Sequence, residues 1–340
     1  MIRVGLIGYG YWGPNLLRNF AMSPQFQVTA LAERKPEARQ RVARAYPSVQ
    51  LFAEAGELLA GADVDAVVIA TPLETHFALS REALVRGKHV LVEKPISASA
   101  AEAEELIALA ERMDRVLMVD HTFLFTGAVR AIRDISASGA LGKICYFDSM
   151  RVNLGLFQPD VNCLWDLAPH DLSVIDYILQ DDIVAVEASG YCHVNQNMPD
   201  MVYLTLHYAN NVIAHFNLSW MSPVKVRRFA IGGTRQMLIW DDLDQDQKIR
   251  IYNTGIEFHP DSERATIMPE YRIGDIYSPR VPQREALAGV VEHFGNVICK
   301  KEPSIMDGAH ALKVVRILEL AQQRLEASLA DVATRRRATQ

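Results

Sequence analysis

Three groups of residues have types and spacings that could carry chemistry. In Trp165-Asp166-Leu167-Ala168-Pro169-His170-Asp171 the side chains of Asp166 and His170 stand four apart, on one face of a helix. Histidine, with an ordinary pKa of about 6.5, exchanges protons near neutrality, and a neighbouring carboxylate can orient its ring. A helix beginning near Asp166 places Pro169 in the first turn, where proline costs little. A helix start with an N-terminal acid and a surface histidine would give the same residues. Lys94, in Glu93-Lys94-Pro95, follows the apolar run HVLV, which puts an ammonium at the carboxyl edge of a parallel sheet, where open α/β proteins bind ligands. Pro95 fixes the backbone direction after it. Gly8-Tyr9-Gly10-Tyr11-Trp12-Gly13 matches GxGxxG. A base, a cation and a dinucleotide turn together suit alcohol oxidation, in which the hydroxyl proton goes to the base and the hydride to a nicotinamide.

The elements around these residues support the assignment. The glycine motif follows the strand IRVGLI, and Pro14 sits in the first turn of a helix, where proline is tolerated. The first glycine permits the tight turn, the second lets backbone amides reach a pyrophosphate, and the third packs helix on strand. The diphosphate then meets the helix N-terminus. Glu33 ends the second strand about 20 residues on, where a carboxylate accepts from ribose hydroxyls and repels a 2′-phosphate, so NAD is expected over NADP. Arg34 weighs the other way, since it can stack on adenine or meet that phosphate.

Up to about Asp120 the runs IRVGLI, QVTALA, DVDAVVIA, HVLVE and RVLMVD alternate with helical stretches, the pattern of a parallel sheet covered on both faces. Beyond His121, one helix (Gly127 to Ser138) leads through SGALGK into strands of alternating polarity: KICYFDSMRV, DIVAVEASGYC, MVYLTLHY, VIAHFNLSW, KVRRFAIGG, QMLIWDD and KIRIYN. Asn210-Asn211 and Gly232-Gly233 read as turns between them. Two helices, near Val281 to Cys299 and Asp307 to Ser328, close the chain. The expected fold is α/β: an N-terminal Rossmann domain with a doubly wound parallel sheet over 1–121, then an α+β domain with a large, mostly antiparallel open sheet over 122–330, and a flexible tail over 331–340. The uncovered face of that open sheet predicts a homo-oligomer, a dimer or tetramer.

Composition narrows the partners. A chain of 340 residues with 49% hydrophobic and 22% charged residues is an ordinary folded protein, long enough for two domains. A net charge of −6 argues against a nucleic-acid surface. The basic cluster Arg335-Arg336-Arg337 reads as solvated tail. Cys145, Cys163, Cys192 and Cys299 form no CxxC pair, so neither a zinc site nor a disulfide framework is expected. No signal peptide or membrane-length apolar run is read, and a soluble, cytoplasmic protein is expected.

The sequence resembles the Gfo/Idh/MocA oxidoreductases, the glucose–fructose oxidoreductase and inositol dehydrogenase family. The likeness rests on GLIGYGYWG, on Thr71-Pro72 and His76 within TPLETHFALSREALVRGKHVLVEKP, on WDLAPHD, on SGALGK and on a closing EHF and VVRILE. It implies a Rossmann domain, a second domain whose open sheet serves oligomerisation, and an active site in the cleft between them. By that likeness Lys94 reaches nicotinamide ribose and substrate, Thr71 and Pro72 line the nicotinamide, and His76 opens the next helix. A buried helix-capping histidine fits His76 equally. Inositol dehydrogenase-like members have catalytic Asp and His at the spacing of Asp166 and His170. His170 is then the base, Asp166 orients it or holds a sugar hydroxyl, Trp165 adjoins the substrate, and Lys94 stabilises a developing alkoxide. Lys94 is the competing base, the nicotinamide cation favouring its neutral form.

WDLAPHDLS resembles members that act on sugar nucleotides, the 3-hydroxyl of UDP-N-acetylglucosamine being the leading candidate. Arg151, Arg227, Arg228, Arg280 and Arg284 could contact a diphosphate. An inositol or free-hexose dehydrogenase, a 3-ketoreductase of deoxysugar biosynthesis and a non-catalytic NAD-binding sensor are the alternatives.

Overall fold

Four consecutive buried residues, Ala66–Ile69, cannot belong to a strand with a wet face, because successive side chains point to opposite sides. In the computed structural model of the protein, which describes residues 1–155, 157, 161–195, 197–257 and 270–339, that strand lies inside a six-stranded parallel sheet. The elements are β1 (Ile2–Ile7), α1 (Gly13–Met22), β2 (Phe26–Ala32), α2 (Pro36–Ala45), β3 (Gln50–Phe52), α3 (Ala55–Gly61), β4 (Ala66–Ile69), α4 (Leu73–Val85), β5 (His89–Glu93), α5 (Ala100–Arg112) and β6 (Leu117–Asp120). Their order, β3-β2-β1-β4-β5-β6, is that of the doubly wound Rossmann sheet. Five of the six strands were expected; β3, three residues of QLF, is too short for any periodicity to mark it.

A single 3₁₀ turn (Thr122–Phe125) leads to α6 (Gly127–Ala137), β7 (Ile144–Leu154), α7 (Cys163–Leu179), β8 (Ile183–Tyr191), β9 (Met201–Tyr208), β10 (Ile213–Ser219), β11 (Met221–Gly233), β12 (Met237–Asp241), β13 (Ile249–Tyr252), β14 (Gly255–Glu257), β15 (Glu270–Arg272) and β16 (Ile276–Tyr277). Eight of these strands form one sheet, β16-β13-β12-β11-β7-β10-β9-β8, antiparallel except where β10 runs parallel to β7. On its inner face Val202, Leu204, Leu206, Ala214, Phe216 and Leu218 are buried, and α7 packs on β9 and β10. Tyr203 and Ile213 alternate with them and are exposed, as is Met150 of β7, in register with Tyr203 across β10.

Two helices close the chain, α8 (Ala286–Lys300) and α9 (Gly308–Ala338). Contacts divide the molecule into Met1–Thr126 with Arg284–Glu319, and Gly127–Gln283 with Leu320–Gln340. The division therefore differs from a single cut near residue 121. Helix α8 joins the first unit by packing on α1, with the Phe294 ring stacked 5.9 Å from Phe26 and edge-on to Phe20 at 6.4 Å. Residues 331–338, expected as tail, continue α9. Asp331 pairs with Arg335 one turn on at 2.9 Å, Arg336 lies 4.9 Å over the Tyr191 ring, and the basic last turn suits the helix dipole.

Two local expectations are corrected. Gly232 and Gly233 do not form the turn; they end β11, and the chain reverses over 234–235, closed by Gly233 N–H donating to Gln236 O at 3.0 Å. A Cβ at Gly233 would strike the Leu141 carbonyl, which requires glycine there, and one at Gly232 would displace the Tyr146 ring that lies over it. Helix α7 starts at Cys163, not near Asp166, because the Asn162 side chain caps it by accepting from Leu164 and Trp165 N–H. Pro169 therefore lies inside the helix, and the Trp165 carbonyl loses its intrahelical donor.

The register of β7 fixes α7. Ser149 and Arg151, two apart and so on one sheet face, both reach Asp171 of α7. The Ser149 hydroxyl donates to Oδ2 and Arg151 Nε to Oδ1, each at 2.7 Å, with a second contact from Arg151 Nη2. Both charges are buried. Arg151 is thus an internal clamp rather than a diphosphate contact. Arg151→Met is expected to lower stability by about 3 kcal/mol or more by stranding the Asp171 carboxylate, while Arg151→Met/Asp171→Leu regains most of it, as read by urea unfolding.

Candidate active site

Sterics build the turn after β1. Gly8 has φ of +95°, and a Cβ there would collide with the Ala70 carbonyl, so strands β1 and β4 approach as closely as glycine alone allows. At Gly13, the first residue of α1, a Cβ would lie 2.7 Å from the Gly8 carbonyl. Gly10 is the opposite case: nothing lies within 4 Å of where its Cβ would be, which leaves backbone open to a ligand. Helix α1 carries no side-chain cap and no acid in its first turn, so its N-terminal amides and dipole suit an anion. Tyr11 is exposed, Trp12 is half-buried at the N-cap, and Pro14 follows Gly13 in the first turn.

The ends of the neighbouring strands complete this edge. Beyond β2, Glu33 accepts from Tyr9 N–H at 2.7 Å and Lys35 N–H at 2.8 Å, which anchors its carboxylate beside the glycine turn. Arg34 is exposed and paired with Glu54 at 3.2 Å. These residues fit a dinucleotide: open backbone and helix amides for the diphosphate, and a fixed carboxylate for the ribose. Beyond β4 come Thr71, half-buried, and Pro72, exposed, with the Thr75 hydroxyl 2.7 Å from both Thr71 Oγ1 and Pro72 O. His76, in the first turns of α4, is buried, with Nδ1 and Nε2 each 2.8 Å from a carbonyl, those of Pro95 and Thr71 respectively. It staples the turn after β4 to the turn after β5. There the Lys94–Pro95 peptide is cis.

Glu93 ends β5 opposite Asp120, which ends β6. Burial pushes the Glu93 carboxyl well above the usual carboxylate range, helped by the Asp120 charge, and burial raises Asp120 too. Burial also holds His121 well below the ordinary histidine range, with His310 and Lys94 adding to the effect.

In the second unit, Trp165, Asp166 and His170 lie on the partly exposed side of α7, while Cys163, Leu164, Leu167, Ala168 and Pro169 are buried. Asp166 sits in the first turn, favourable for a carboxylate, and accepts from the Trp220 indole N–H at 3.1 Å. The structure therefore brings Asp166 and His170 onto one face, as the four-residue spacing requires. Among the described residues no helix is long and apolar enough to cross a membrane, and no group of His, Cys, Asp or Glu side chains could hold a metal ion.

Residues 2–121 match the oxidoreductase family's NAD-binding Rossmann fold, and residues 129–239 match the GFO/IDH/MocA C-terminal domain. A structure of a protein described as an oxidoreductase from Magnetospirillum magnetotacticum MS-1 is similar, with a TM-score of 0.80 and 30% identity over 94% of this chain and 99% of that one. The chain belongs to the Gfo/Idh/MocA oxidoreductase family. Among similar proteins is the UDP-N-acetylglucosamine 3-dehydrogenase of Acidithiobacillus ferrooxidans, 29% identical over 92% of this chain and 94% of that one. A solved structure of that enzyme superposes with a TM-score of 0.82, at 26% identity over 96% of this chain and 99% of the other.

This Gfo/Idh/MocA protein has an NAD-binding first domain, and Gly8, Glu33, Thr71 and Lys94 lie just beyond the carboxyl ends of its strands. Asp120, Trp220 and the Ser149–Arg151–Asp171 clamp escaped the sequence reading. A strand-final acid beside the strand of Glu93 was the signal for Asp120; nothing local marks Trp220 as a partner of Asp166. His76→Ala is expected to cost about 1–2 kcal/mol by removing the ring that bridges the Pro95 and Thr71 carbonyls, and to weaken NAD binding by loosening both turns. Urea unfolding and an NAD titration check the two effects separately.

Proposed function

We propose that this oxidoreductase oxidises a secondary hydroxyl of a sugar nucleotide to a keto sugar, the 3-hydroxyl of UDP-N-acetylglucosamine being the leading candidate. The observation that carries the reading is the near full-length likeness to a UDP-N-acetylglucosamine 3-dehydrogenase. The Asp166 and His170 pair on α7 agrees with it, since the reaction needs a base. NAD, when bound, supplies the hydride acceptor. Gly8, Gly10, Tyr11, Trp12 and Gly13 hold its diphosphate, Glu33 with Arg34 the adenosine end, and Thr71, Pro72 and Lys94 the nicotinamide end.

In this reading His170 takes the hydroxyl proton. Asp166, steadied by the Trp220 indole, orients the base or holds a neighbouring hydroxyl, and Trp165 lies against the sugar. The Lys94 ammonium holds the reacting oxygen and stabilises the alkoxide as it develops. We further propose a dimer or tetramer in the cytoplasm, formed through the sheet face that carries Met150, Tyr203 and Ile213.

Incubation with NAD and a panel of UDP-sugars, free hexoses and inositols, with a coupled aminotransferase to draw off keto sugar, tests the substrate. UDP-N-acetylglucosamine should reduce the cofactor fastest. Turnover confined to inositols or hexoses overturns the proposal, and tight NAD binding without turnover makes the protein a sensor. His170→Ala should lower kcat/KM by about 10²-fold or more and remove the limb of the pH profile that the base controls. Unchanged rate and pH dependence would return the role of base to Lys94. Glu33→Ala should weaken NAD binding by roughly tenfold or more and narrow the preference over NADP, as read by titrating both cofactors.

A further inference from the structure

The register of β5 and β6 sets two acids side by side, Glu93 against Asp120. Asp120 is only 2% exposed, and its Oδ2 and the Oε1 of Glu93 are both buried with no donor from the chain among the described residues. Several groups face this pair. Trp12, at the start of α1, and Thr122 act as hydrogen-bond donors to Asp120, Thr122 Oγ1 lying 2.6 Å from Oδ1. The Lys94 backbone N–H and charge act on Glu93, and the same charge reaches Asp120 and His121. His121 is buried, packs edge-on to His310 of α9 at 5.2 Å, and stays uncharged at neutral pH because burial disfavours its cation.

Charge balance decides the state of this cluster. Two ionised carboxylates beside one ammonium would leave a net negative charge buried without compensation, which costs several kcal/mol. Two carboxyl groups in contact do not both ionise when one proton can lie between them. A single proton here removes the excess charge and satisfies both remaining oxygens. We propose that Glu93 and Asp120 share one proton and act together as a monoanionic counter-ion of Lys94, Asp120 being a positioning residue that acts through Glu93.

The sharing is independent of what Lys94 does; its kinetic consequence rests on the reading of Lys94 as the group that holds the reacting oxygen. Loss of the shared proton at high pH puts two negative charges behind the ammonium and draws it away from that oxygen. Asn at 120 cannot ionise, so the dianion never forms in Asp120→Asn.

Infrared spectroscopy of the ligand-free protein at neutral pH tests the sharing. The wild type should show a protonated-carboxyl band that disappears in both Asp120→Asn and Glu93→Gln, because each remaining acid ionises beside Lys94. A band that persists in either variant, or is absent from the wild type, overturns the shared proton. Should either variant fail to fold, wild-type protein labelled with ¹³C at aspartate or at glutamate carboxyls replaces them. A shared proton makes the band respond to both labels, and a response to one alone overturns the proposal. The kinetic arm is the kcat/KM pH profile of Asp120→Asn, whose alkaline limb should move by about one unit or more. A profile superimposable on the wild type's overturns the coupling to Lys94, and the infrared result stands even if no sugar nucleotide proves to be a substrate.

Discussion

Parallel pairing is the constraint on which the first unit depends. When strands run in one direction, every loop that leaves a strand does so at the same edge, so residues far apart in sequence are lined up by hydrogen-bond register alone. The turn at Gly8, Glu33, Thr71 and Lys94 follow β1, β2, β4 and β5, and Asp120 ends β6, these five strands being neighbours in the sheet. With strands about 4.8 Å apart, that row is about 20 Å long, the scale of an extended dinucleotide. The glycines let the row close up, since Gly8 brings β1 against β4 and Gly13 brings α1 against Gly8.

The second unit solves a different problem, that of holding one helix face at a fixed angle to a sheet. Asn162 starts α7 three residues before Trp165, which puts Asp166 in the first turn, where the helix dipole favours its charge. Asp171 then ties the helix to β7 through Ser149 and Arg151 from beneath. Asp166 and Asp171 are both acids on one helix, yet one is partly exposed beside an indole and the other is sealed against a guanidinium. Their environments, not their chemistry, separate the acid proposed to meet substrate from the one that holds the helix.

What could be read from sequence was whatever leaves a local trace. The glycine turn declares itself because sterics demand glycine at fixed offsets, and Asp166 and His170 because helical geometry alone pairs them. The partners that only register or packing supply were harder to see: Asp120 left no more than a strand-final acid as its trace, and nothing local marked Trp220 on Asp166 or Arg151 inside a clamp. Gly232 and Gly233 mislead for a related reason, since glycine marks a close approach as well as a turn, and only the position of Tyr146 distinguishes the two. The start of α7 was misplaced because Pro169 invited a helix beginning nearby, whereas Asn162 supplies a cap strong enough to carry proline inside.

The packing of α8 against α1 also bears on the order in which the chain becomes structured. The glycine turn and all six strands of the first sheet precede residue 121, but the ring that stacks on Phe26 and meets Phe20 is Phe294. During synthesis these two phenylalanines leave the ribosome long before their partner is made, and residues 127–283 emerge in between. The nucleotide-binding sheet is therefore translated well before it can be sealed. Until α8 arrives, the apolar patch that Phe20 and Phe26 form on α1 and β2 stays open to solvent.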